Sequence, residues 1–424
     1  MKKIVLSFLC VLTMSMFSCQ DNLDFFETDT EQNFQYPVQP ANIPIYSTNQ
    51  LIVEYKPGIL NPIKDTLRNH YNVRRHDTCL HCDETIERWE FKPGVILENK
   101  LGSIRDDVDP EGLIRKVEKE FEFYYEYEEN ILTGGSPDTS FESKIVPSNS
   151  GVTIAVLDSG FDANYFGIGS ERFLYNGYDP DILEIKSGWD YVNQDNNCYD
   201  DYELVHGTAV AKIIHETLTG LGVPHQILPV KVANASGRAS RFDILCAISF
   251  ASDRADIINM SLGWYDIDGP DDLTNDIFYG LLEKYENDVL FVTSAGNREN
   301  DNDLDTEDNF PHYPSNYDTE NMIAVAAANR AVTEMANFSN YGAYTVDFIA
   351  KGDSIPFNNM EGSYVPISGT SFAAPHASAV AAYVLIESGM EFSPAQIVNG
   401  LDISGIPFTT PGKPTKYGKL ILPE

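Results

Sequence analysis

The second half of the chain predicts an α/β fold in which a parallel sheet is covered by helices on both faces. Two observations support this prediction. From Gly151 onward, short apolar runs rich in β-branched residues end in turn residues, and helix-like segments lie between most of them. Strands that are apolar along their whole length are typical of a sheet buried on both faces. We therefore expect a three-layer α/β domain with a parallel sheet, preceded by a small α+β domain.

The predicted strands of the large domain are the runs GVTIAVLDSG, GWDYV, ILPVKV, DIINMSLG, VLFVTSAGN and MIAVAAAN. Helices are expected over residues 207–219, 241–253, 271–287, 371–388 and 394–400. The last of these has Ser393 at the cap and Pro394 at its first position, a common arrangement at a helix start. In open α/β sheets, ligands bind at the carboxyl ends of the strands. We therefore expect the functional residues at those ends.

The first part of the chain predicts a smaller unit. It contains the strands QLIVEYKPG and ERWEFKPGVIL, and a charged run from Gly112 to Glu120 that resembles a helix. A polar stretch with Gly, Ser and Pro follows, ILTGGSPDTSFESKIVPSNSG, which is typical of a linker. We place the small domain with its linker at residues 47–145 and the large domain at 146–424.

The acidic net charge excludes nucleic acid and anionic lipid surfaces as electrostatic partners. The 424 residues include 29 Lys+Arg against 64 Asp+Glu, a formal net charge of −35. Binding to nucleic acid and electrostatic adhesion to anionic lipid both depend on basic surfaces. The hydrophobic content of 42% is that of a folded protein with a packed core.

The first residues predict an export signal. Two lysines precede an apolar run from Ile4 to about Phe17, which is too short to span a membrane. We therefore assign residues 1–18 to a signal peptide. The run ends in Met-Phe-Ser-Cys, which resembles a bacterial lipobox with Cys19 as the lipidated residue. The alternative is a plain signal peptide with an incidental cysteine.

An acidic stretch follows the signal, over residues 19–46, without Lys or Arg. It has the composition of a solvated tether and resembles the tethers of surface lipoproteins in the Bacteroides group. We expect an exported protein attached by a lipid anchor to the outer membrane or cell surface. The alternative locations are the periplasm and the medium.

Four residues at predicted strand ends or helix starts supply the groups that acyl transfer needs. Asp158 ends a strand, His206 begins a helix, Asn297 ends another strand and Ser371 begins the helix in SGTSFAAPHASAVAAYV. An aspartate can orient an imidazole, the imidazole can accept the serine proton, and an amide can donate to the oxyanion. Taken alone, each residue could equally be a helix cap, a turn residue or a core histidine.

Residues 146–424 resemble the catalytic domain of a subtilisin-like serine protease, a subtilase. The motifs occur in the family's order and are VLDSGFD, HGTAVA, VKVANASGRAS, INMSLG, SAGN, YPSNYDTENMIAVAAAN, ANFSNYG, VDFIAKG and SGTSFAAPH. The resemblance implies that Asp158, His206 and Ser371 form the catalytic triad and that Asn297 is the oxyanion donor. It also implies a peptide or protein substrate and chemistry that requires no cofactor.

The resemblance implies substrate contacts as well. Ser261, Leu262 and Gly263 would offer backbone edges to an extended peptide, and Ala295 with Gly296 would form a wall of the primary specificity pocket. The small domain resembles a subtilase pro-region, which would assist folding and inhibit the active site until it is cleaved. We expect self-cleavage between Glu128 and Pro147, and a monomeric protein.

The sequence departs from the family pattern in an acidic insertion, ENDNDLDTEDN at residues 299–309. It could bind structural calcium, attract basic substrates or be a solvated loop. Asp195, Asp200 and Asp201 could likewise bind calcium or form turns.

The cysteines leave several alternatives open. In HDTCLHC, Cys79 and Cys82 could be metal ligands, a strained disulfide or free thiols. Cys198 is expected to be a free thiol near the site, and Cys246 is expected in a helix core.

The leading functional hypothesis is therefore a serine endopeptidase. A non-catalytic surface lipoprotein that holds peptides on a protease scaffold is the alternative from a different class. A processing protease of narrow specificity is a third.

Overall fold

The structure is a computed structural model that describes residues 42–423 except 81–83, 107–111, 126–150, 167–172, 176, 180–183, 187, 203, 267–275, 305, 307–308, 359–363 and 390–392. Residues 40–424 form one compact unit. The signal peptide, Cys19 and the expected cleavage interval lie outside the described residues. No helix in the described part of the chain is both long and apolar enough to cross a membrane.

The described elements, in chain order, are the following strands and helices. The strands are β1 (Ile45–Tyr55), β2 (Arg75–Thr78), β3 (Ile86–Glu90), β4 (Ile114–Tyr124), β5 (Val152–Asp158), β6 (Gly177–Asp179), β7 (Glu184–Lys186), β8 (Trp189–Asp190), β9 (His225–Lys231), β10 (Arg238–Ser240), β11 (Ile257–Met260), β12 (Trp264–Tyr265), β13 (Leu290–Ser294), β14 (His312–Tyr313), β15 (Met322–Ala328), β16 (Phe348–Lys351), β17 (Ile355–Asn358), β18 (Tyr364–Ile367), β19 (Ile406–Pro407) and β20 (Lys419–Ile421). The helices are α1 (Asn61–His70), α2 (Leu97–Asp106), α3 (His206–Gly220), α4 (Arg241–Ser252), α5 (Ile277–Lys284), α6 (Thr370–Glu387) and α7 (Pro394–Ser404).

The large domain is built on a nine-stranded sheet in the order β19-β20-β16-β15-β13-β11-β5-β9-β8. Every neighbouring pair from β8 to β20 is parallel. The edge strand β19 pairs antiparallel with β20. The sheet is thus parallel as predicted except at this two-residue edge, where a short antiparallel strand is common on an otherwise parallel sheet.

Helices cover both faces of this sheet, as the sequence predicts. Along β5, Val152, Ile154 and Val156 point into the core under α3 and α6. Ala155 and Leu157 point into the opposite core, under α4 and α5. All seven residues of β5 are buried, because alternate side chains of a strand face opposite sides of the sheet. This two-sided burial explains the continuous apolar runs.

Four of the five predicted helices of the large domain match α3, α4, α6 and α7 closely. The helix expected over residues 271–287 is shorter, because α5 begins at Ile277. The Asp276 carboxylate accepts hydrogen bonds from the backbone N–H groups of Phe278 and Tyr279 and so caps the helix. Residues 271–275 lie outside the described part.

The N-terminal module (residues 42–125) is a sheet in the order β10-β4-β1-β3-β2. Helices α1 and α2 contribute to the core on one of its faces. Strand β10 comes from the large domain and pairs antiparallel with β4. The sheet of the module therefore continues into the large domain.

The prediction of a helix from Gly112 to Glu120 is wrong, since these residues lead into and form most of β4. Ile114, Val117 and Phe121 are spaced three and four residues apart, which imitates a helix. The strand also has its second face covered. Phe121 and Phe123 pack against Trp264 of the large domain, at ring distances of 5.2 and 5.4 Å. Only the later part of the strand, from Glu120 to Phe123, alternates acidic and aromatic residues and so shows the period of a strand.

Carboxylates of β4 bind the starts of two helices in the large domain. Glu120 accepts hydrogen bonds from Ser240 Oγ at 3.2 Å and from the N–H of Phe242 at the start of α4. Glu118 accepts from the N–H of Ile277 at the start of α5. Negative charge is stabilising at a helix N-terminus. The module and the large domain are therefore joined by polar as well as apolar contacts.

Candidate active site

Asp158 and His206 form a buried pair at the carboxyl end of β5. His206 Nδ1 lies 2.8 Å from Asp158 Oδ1, and both side chains are buried. Asp158 Oδ1 also accepts from the N–H of Ser159 at 2.7 Å. A carboxylate that binds Nδ1 fixes the proton on that nitrogen and leaves Nε2 free to accept one. The pair can therefore act as an oriented general base.

The backbone around this pair is tightly constrained. A Cβ at Gly207 would lie 2.4 Å from the carbonyl oxygen of Gly160, so only glycine lets α3 approach the end of β5 this closely. Val205, directly before His206, has a φ of 43° and a ψ of 44°. That left-handed conformation is unfavourable for a β-branched residue. The surrounding packing holds the strained turn that presents His206.

Three buried groups that the sequence did not single out for catalysis hold the turn and the helix start in place. Lys231 Nζ donates to the carbonyl oxygens of Ser159 and Ala233 and pairs with Asp201 Oδ1 at 2.7 Å. Asp200 Oδ2 accepts from the N–H of Thr208 at 2.9 Å and from its hydroxyl at 2.7 Å. The sequence features that could have identified these residues were a single lysine, Lys231, in an apolar strand and a threonine, Thr208, directly after His206-Gly207.

Ser371 is the second residue of α6 and lies in the same cleft as His206. Among the described residues, its hydroxyl has one hydrogen-bond partner, the carbonyl oxygen of Ser261 at 3.3 Å. A serine that is not yet bonded to its base is common in the absence of substrate. Its backbone N–H is one of those that a helix start leaves unsatisfied.

Pro375 lies in the second turn of α6. Proline has no N–H, so it cannot bond to the carbonyl oxygen four residues earlier, which belongs to Ser371. Ser261 Oγ donates to that oxygen instead, at 2.7 Å. Ser261 Oγ in turn accepts from Asn259 Nδ2 at 2.9 Å. Because Pro375 cannot bond to the Ser371 carbonyl oxygen, that oxygen is free to bind Ser261, which directly follows β11.

Asn297 follows β13 and faces the start of α6. Its Oδ1 accepts from the N–H and the hydroxyl of Thr370, both at 2.8 Å. This fixes the orientation of the amide, and Nδ2 has no hydrogen-bond partner among the described residues. A Cβ at Gly369 would lie 3.7 Å from that nitrogen. Asn297 therefore holds a free donor beside the N-terminus of the helix that begins with Thr370 and Ser371.

Replacing Asn297 with alanine is expected to lower kcat by about 10²–10³-fold with little change in KM, the loss known for such a donor in subtilisin. Asn297→Asp is the matched variant, because it retains an acceptor for Thr370 but has no donor. Steady-state kinetics should show a similar loss for both variants at unchanged thermal unfolding. A near-normal kcat in Asn297→Asp would exclude Asn297 as an oxyanion donor.

The pKa of His206 is raised above its ordinary value of 6.5. Burial lowers this pKa, but the charge and the hydrogen bond of Asp158, together with the charge of Asp200, raise it by more. A general base acts only when neutral. We therefore expect kcat/KM to fall as the pH drops through a midpoint above 6.5, and this can be measured between pH 5 and 9. A midpoint below 6.5 would contradict the pairing with Asp158.

The cleft beside Ser371 has two backbone walls. Ser261, Leu262 and Gly263 form one, and Ser294, Gly296 and Asn297 form the other. Ala295, which the sequence placed in the wall, is fully buried behind it. Its carbonyl oxygen accepts hydrogen bonds from the side chains of Asn302 and Asn340. His312, which the sequence did not single out, closes the cleft at one end.

The N-terminal module covers this cleft. The ring of Tyr125 lies 5.2 Å from that of His206, and Asn42 also lines the cleft. The carbonyl oxygen of Asn42 accepts from the N–H of Tyr265 at 2.8 Å. Both ends of the described module therefore meet at the candidate site.

The candidate calcium ligands that the structure describes form hydrogen bonds or ion pairs with other groups of the protein. Asp303 accepts from the Thr345 hydroxyl at 2.7 Å, and Glu299 pairs with Lys413 at 2.9 Å. Asp195 accepts from the N–H of Asn197. Within the described ranges, no three His, Cys, Asp or Glu side chains converge as metal ligands. Asp305, Glu307 and Asp308 lie outside these ranges.

The cysteines pair differently from expectation. Cys79 forms a disulfide with Cys246 on α4, rather than with its sequence neighbour Cys82, which lies outside the described residues. Cys246 is buried as predicted, but it is bonded rather than a simple core residue. Cys198 is a buried free cysteine, and burial raises its pKa.

Comparison with known proteins agrees with this geometry. A sequence model described as the Subtilase family matches residues 149–401. A thermophilic serine proteinase of Bacillus sp. (strain AK1) is 32% identical over 252 residues, which are 58% of this chain and 54% of that protein. A subtilisin of Bacillus pumilus is 32% identical over 245 residues, 56% of this chain and 78% of that protein. The chain thus spans about half the length of the first of these relatives.

A solved structure shows a similar fold over a longer stretch. The epidermin leader peptide processing serine protease of Staphylococcus aureus superposes with a TM-score of 0.58 at 16% identity, covering 88% of this chain and 96% of that one. At this identity the likeness concerns the fold alone. The family match, which spans more than half of the residues, shows that this chain belongs to the subtilase family of serine endopeptidases.

Proposed function

We propose that the chain is a serine endopeptidase that hydrolyses peptide bonds through Asp158, His206 and Ser371. The observation that supports this most directly is the 2.8 Å contact between His206 Nδ1 and Asp158 Oδ1, in the same cleft as a serine at a helix N-terminus. A scaffold that merely held peptides would have no need for a buried, oriented imidazole there.

In the proposed reaction, Ser371 Oγ attacks the carbonyl carbon of the scissile bond and His206 Nε2 accepts its proton. Asp158 holds the imidazole and stabilises its charged form. His206 then donates the proton to the leaving amine, and an acyl-enzyme on Ser371 remains. Water activated by the same imidazole hydrolyses this ester and restores the serine.

The proposed oxyanion site consists of Asn297 Nδ2 and the backbone N–H of Ser371. Both are donors that the protein itself does not use in the described structure. The start of α6 adds the partial positive charge of a helix N-terminus. Such donors act because they are fixed before charge develops on the oxygen.

We further propose that the N-terminal module is a pro-region that inhibits the enzyme until the linker is cut. Strand β4 pairs with β10, so it occupies the edge along which an extended peptide would bind. Tyr125 then reaches His206, and the chain continues from there into residues 126–150.

A fluorophosphonate that labels activated serines tests the proposed activity on the full chain. We expect labelling of the wild-type protein once the module has been released, and none of Ser371→Ala treated in the same way. A well-folded wild-type protein that stays unlabelled after removal of the module would contradict the proposal and favour a non-catalytic peptide-binding role.

We propose that the protein is exported and anchored through Cys19, on the basis of the signal sequence and the lipobox-like Met-Phe-Ser-Cys. Cys19→Ser should move the protein from the membrane fraction to the soluble fraction. An unchanged membrane fraction would contradict the anchor.

A further inference from the structure

The cleft beside Ser371 ends at the imidazole of His312, which is 1% exposed. A Cβ at Gly263 would lie 2.4 Å from both Cε1 and Nε2 of this ring, and a Cβ at Gly296 would lie 3.0 Å from Cδ2. The Nε2 end of the ring therefore lies between the two backbone walls. It occupies the space into which a substrate side chain next to Ser371 would extend.

The ring is held in this position by hydrogen bonds. Nδ1 lies 2.8 Å from Ser315 Oγ, and that hydroxyl donates to the carbonyl oxygen of His312. Nδ1 must then carry the proton and donate to Oγ. Asn302 Nδ2 also donates to Ser315 Oγ, at 3.3 Å. Ser315 and Asn302 are both buried, so the ring cannot swing aside without breaking buried hydrogen bonds.

The imidazole end that faces the walls is a bare acceptor. Burial, assisted by the charge of Arg298, lowers the pKa of His312 to about 3, so the ring is neutral at ordinary pH. With Asn42 and Tyr125 in place, the space left in the cleft is about 10 Å³, room for about one water molecule. A long apolar side chain would collide with the ring and leave Nε2 buried without a donor.

We propose that His312 is the floor of the primary specificity pocket and restricts the residue on the acyl side of the cleaved bond to small side chains, such as Ala or Ser. This inference rests on the proposed peptidase function and names its substrate class. It treats His312 as a specificity-determining residue that contacts substrate, not as part of the proton transfer.

The test uses four tetrapeptide p-nitroanilides that differ only in the last residue, which is Ala, Ser, Leu or Phe. Rates are expressed per serine labelled by the fluorophosphonate. We expect wild-type kcat/KM to be at least about 10-fold higher for Ala and Ser than for Leu and Phe, the usual size of a steric effect in a pocket. His312→Gly should remove this preference by opening the pocket.

Two control variants separate a specific effect from damage to the fold. His312→Gln retains bulk and should retain the preference for small residues. His215→Ala removes a histidine far from the cleft and should behave as the wild type does. Equal rates for Ala and Phe in the labelled wild type, or an unchanged ratio in a labelled His312→Gly, would overturn the inference. Absence of any labelling would instead contradict the proposed function.

A second, independent observation concerns the disulfide between the module and the large domain. Cys79 follows β2 and Cys246 lies on α4, with Cα atoms 5.2 Å apart and a sequence separation of 167. Tyr191 of the large domain donates to the carbonyl oxygen of Leu80 at 2.9 Å. The disulfide therefore lies where the module and the large domain contact each other.

The proposed cleavage interval, between Glu128 and Pro147, lies between these two cysteines in sequence. Cutting there separates the chain into two pieces that the disulfide still joins. An attached inhibitor rebinds at an effective concentration that is often millimolar, whereas a free one is diluted away. We infer that the cleaved module stays bound as a covalent subunit, and that a dithiol reductant, which is oxidised as Cys79 and Cys246 become thiols, permits its release.

Electrophoresis of the processed protein with and without dithiothreitol tests this inference. We expect one band at full mass without the reductant and two with it. Cys246→Ser should give two bands in both lanes and more peptidase activity per processed chain. Cys198→Ser, which removes the buried free thiol, should retain the wild-type pattern. Two bands from the wild type without the reductant would overturn the tether, whereas one band in both lanes would contradict processing itself.

Discussion

Replacing Ser371 with alanine is expected to lower peptide hydrolysis by about 10⁶-fold, the loss known for the nucleophile of subtilisin. It should also leave the chain uncleaved. Both effects have one cause, because self-cleavage and substrate hydrolysis would use the same hydroxyl. The start of α6 would keep its hydrogen bonds to Ser261 Oγ and Asn297 Oδ1, since neither bond involves the Ser371 hydroxyl. The fold should therefore survive the substitution.

The measurement combines kinetics on a peptide substrate with the mass of the purified chain. Ser388→Ala is a suitable control, because Ser388 lies at the other end of the same helix and its hydroxyl bonds locally to Leu385. It should retain activity and processing. If Ser371→Ala were cut in the linker as efficiently as the wild type, another peptidase would be responsible, and self-processing would be excluded.

The sequence was sufficient to predict the large domain because its signals are local. Two buried strands end at or just before a residue of the candidate site, Asp158 at the end of β5 and Asn297 after β13. The alternation of these strands with helical segments then predicts a parallel sheet with its strand ends at one edge. Asp158 and His206 consequently come together in the structure although 48 residues separate them.

What the sequence could not predict depends on contacts between distant segments. The first part of β4 looked like a helix because Ile114, Val117 and Phe121 are spaced three and four residues apart. Its true conformation depends on pairing with β1 and β10, which are distant in sequence. The disulfide joins residues that are 167 positions apart, and connectivity cannot be deduced from spacing. The role of His312 depends on the approach of β14 to Gly263 and Gly296, and its sequence signal was only a histidine shortly after the acidic insertion.

Replacing Asp158 with asparagine tests how the base is oriented, and we expect kcat to fall by about 10⁴-fold. Asp158 Oδ1 accepts from both His206 Nδ1 and the Ser159 N–H. An asparagine amide can instead donate to Nδ1, which would place the imidazole proton on Nε2. A protonated Nε2 cannot accept the proton of Ser371. Even if the original tautomer persisted, the charge that stabilises the imidazolium would be lost.

The Asp158→Asn variant should also shift the pH profile in a defined direction. The Asp158 carboxylate raises the pKa of His206 against the lowering effect of burial. Without it, the residual activity should persist to lower pH than in the wild type. Asp200→Asn is the matched control, because it also neutralises a buried carboxylate near His206 but leaves Nδ1 bound to Asp158, so its loss of kcat should be far smaller. A kcat within 10-fold of wild type in Asp158→Asn, or an unshifted acid limb, would mean that the 2.8 Å contact does not orient the base.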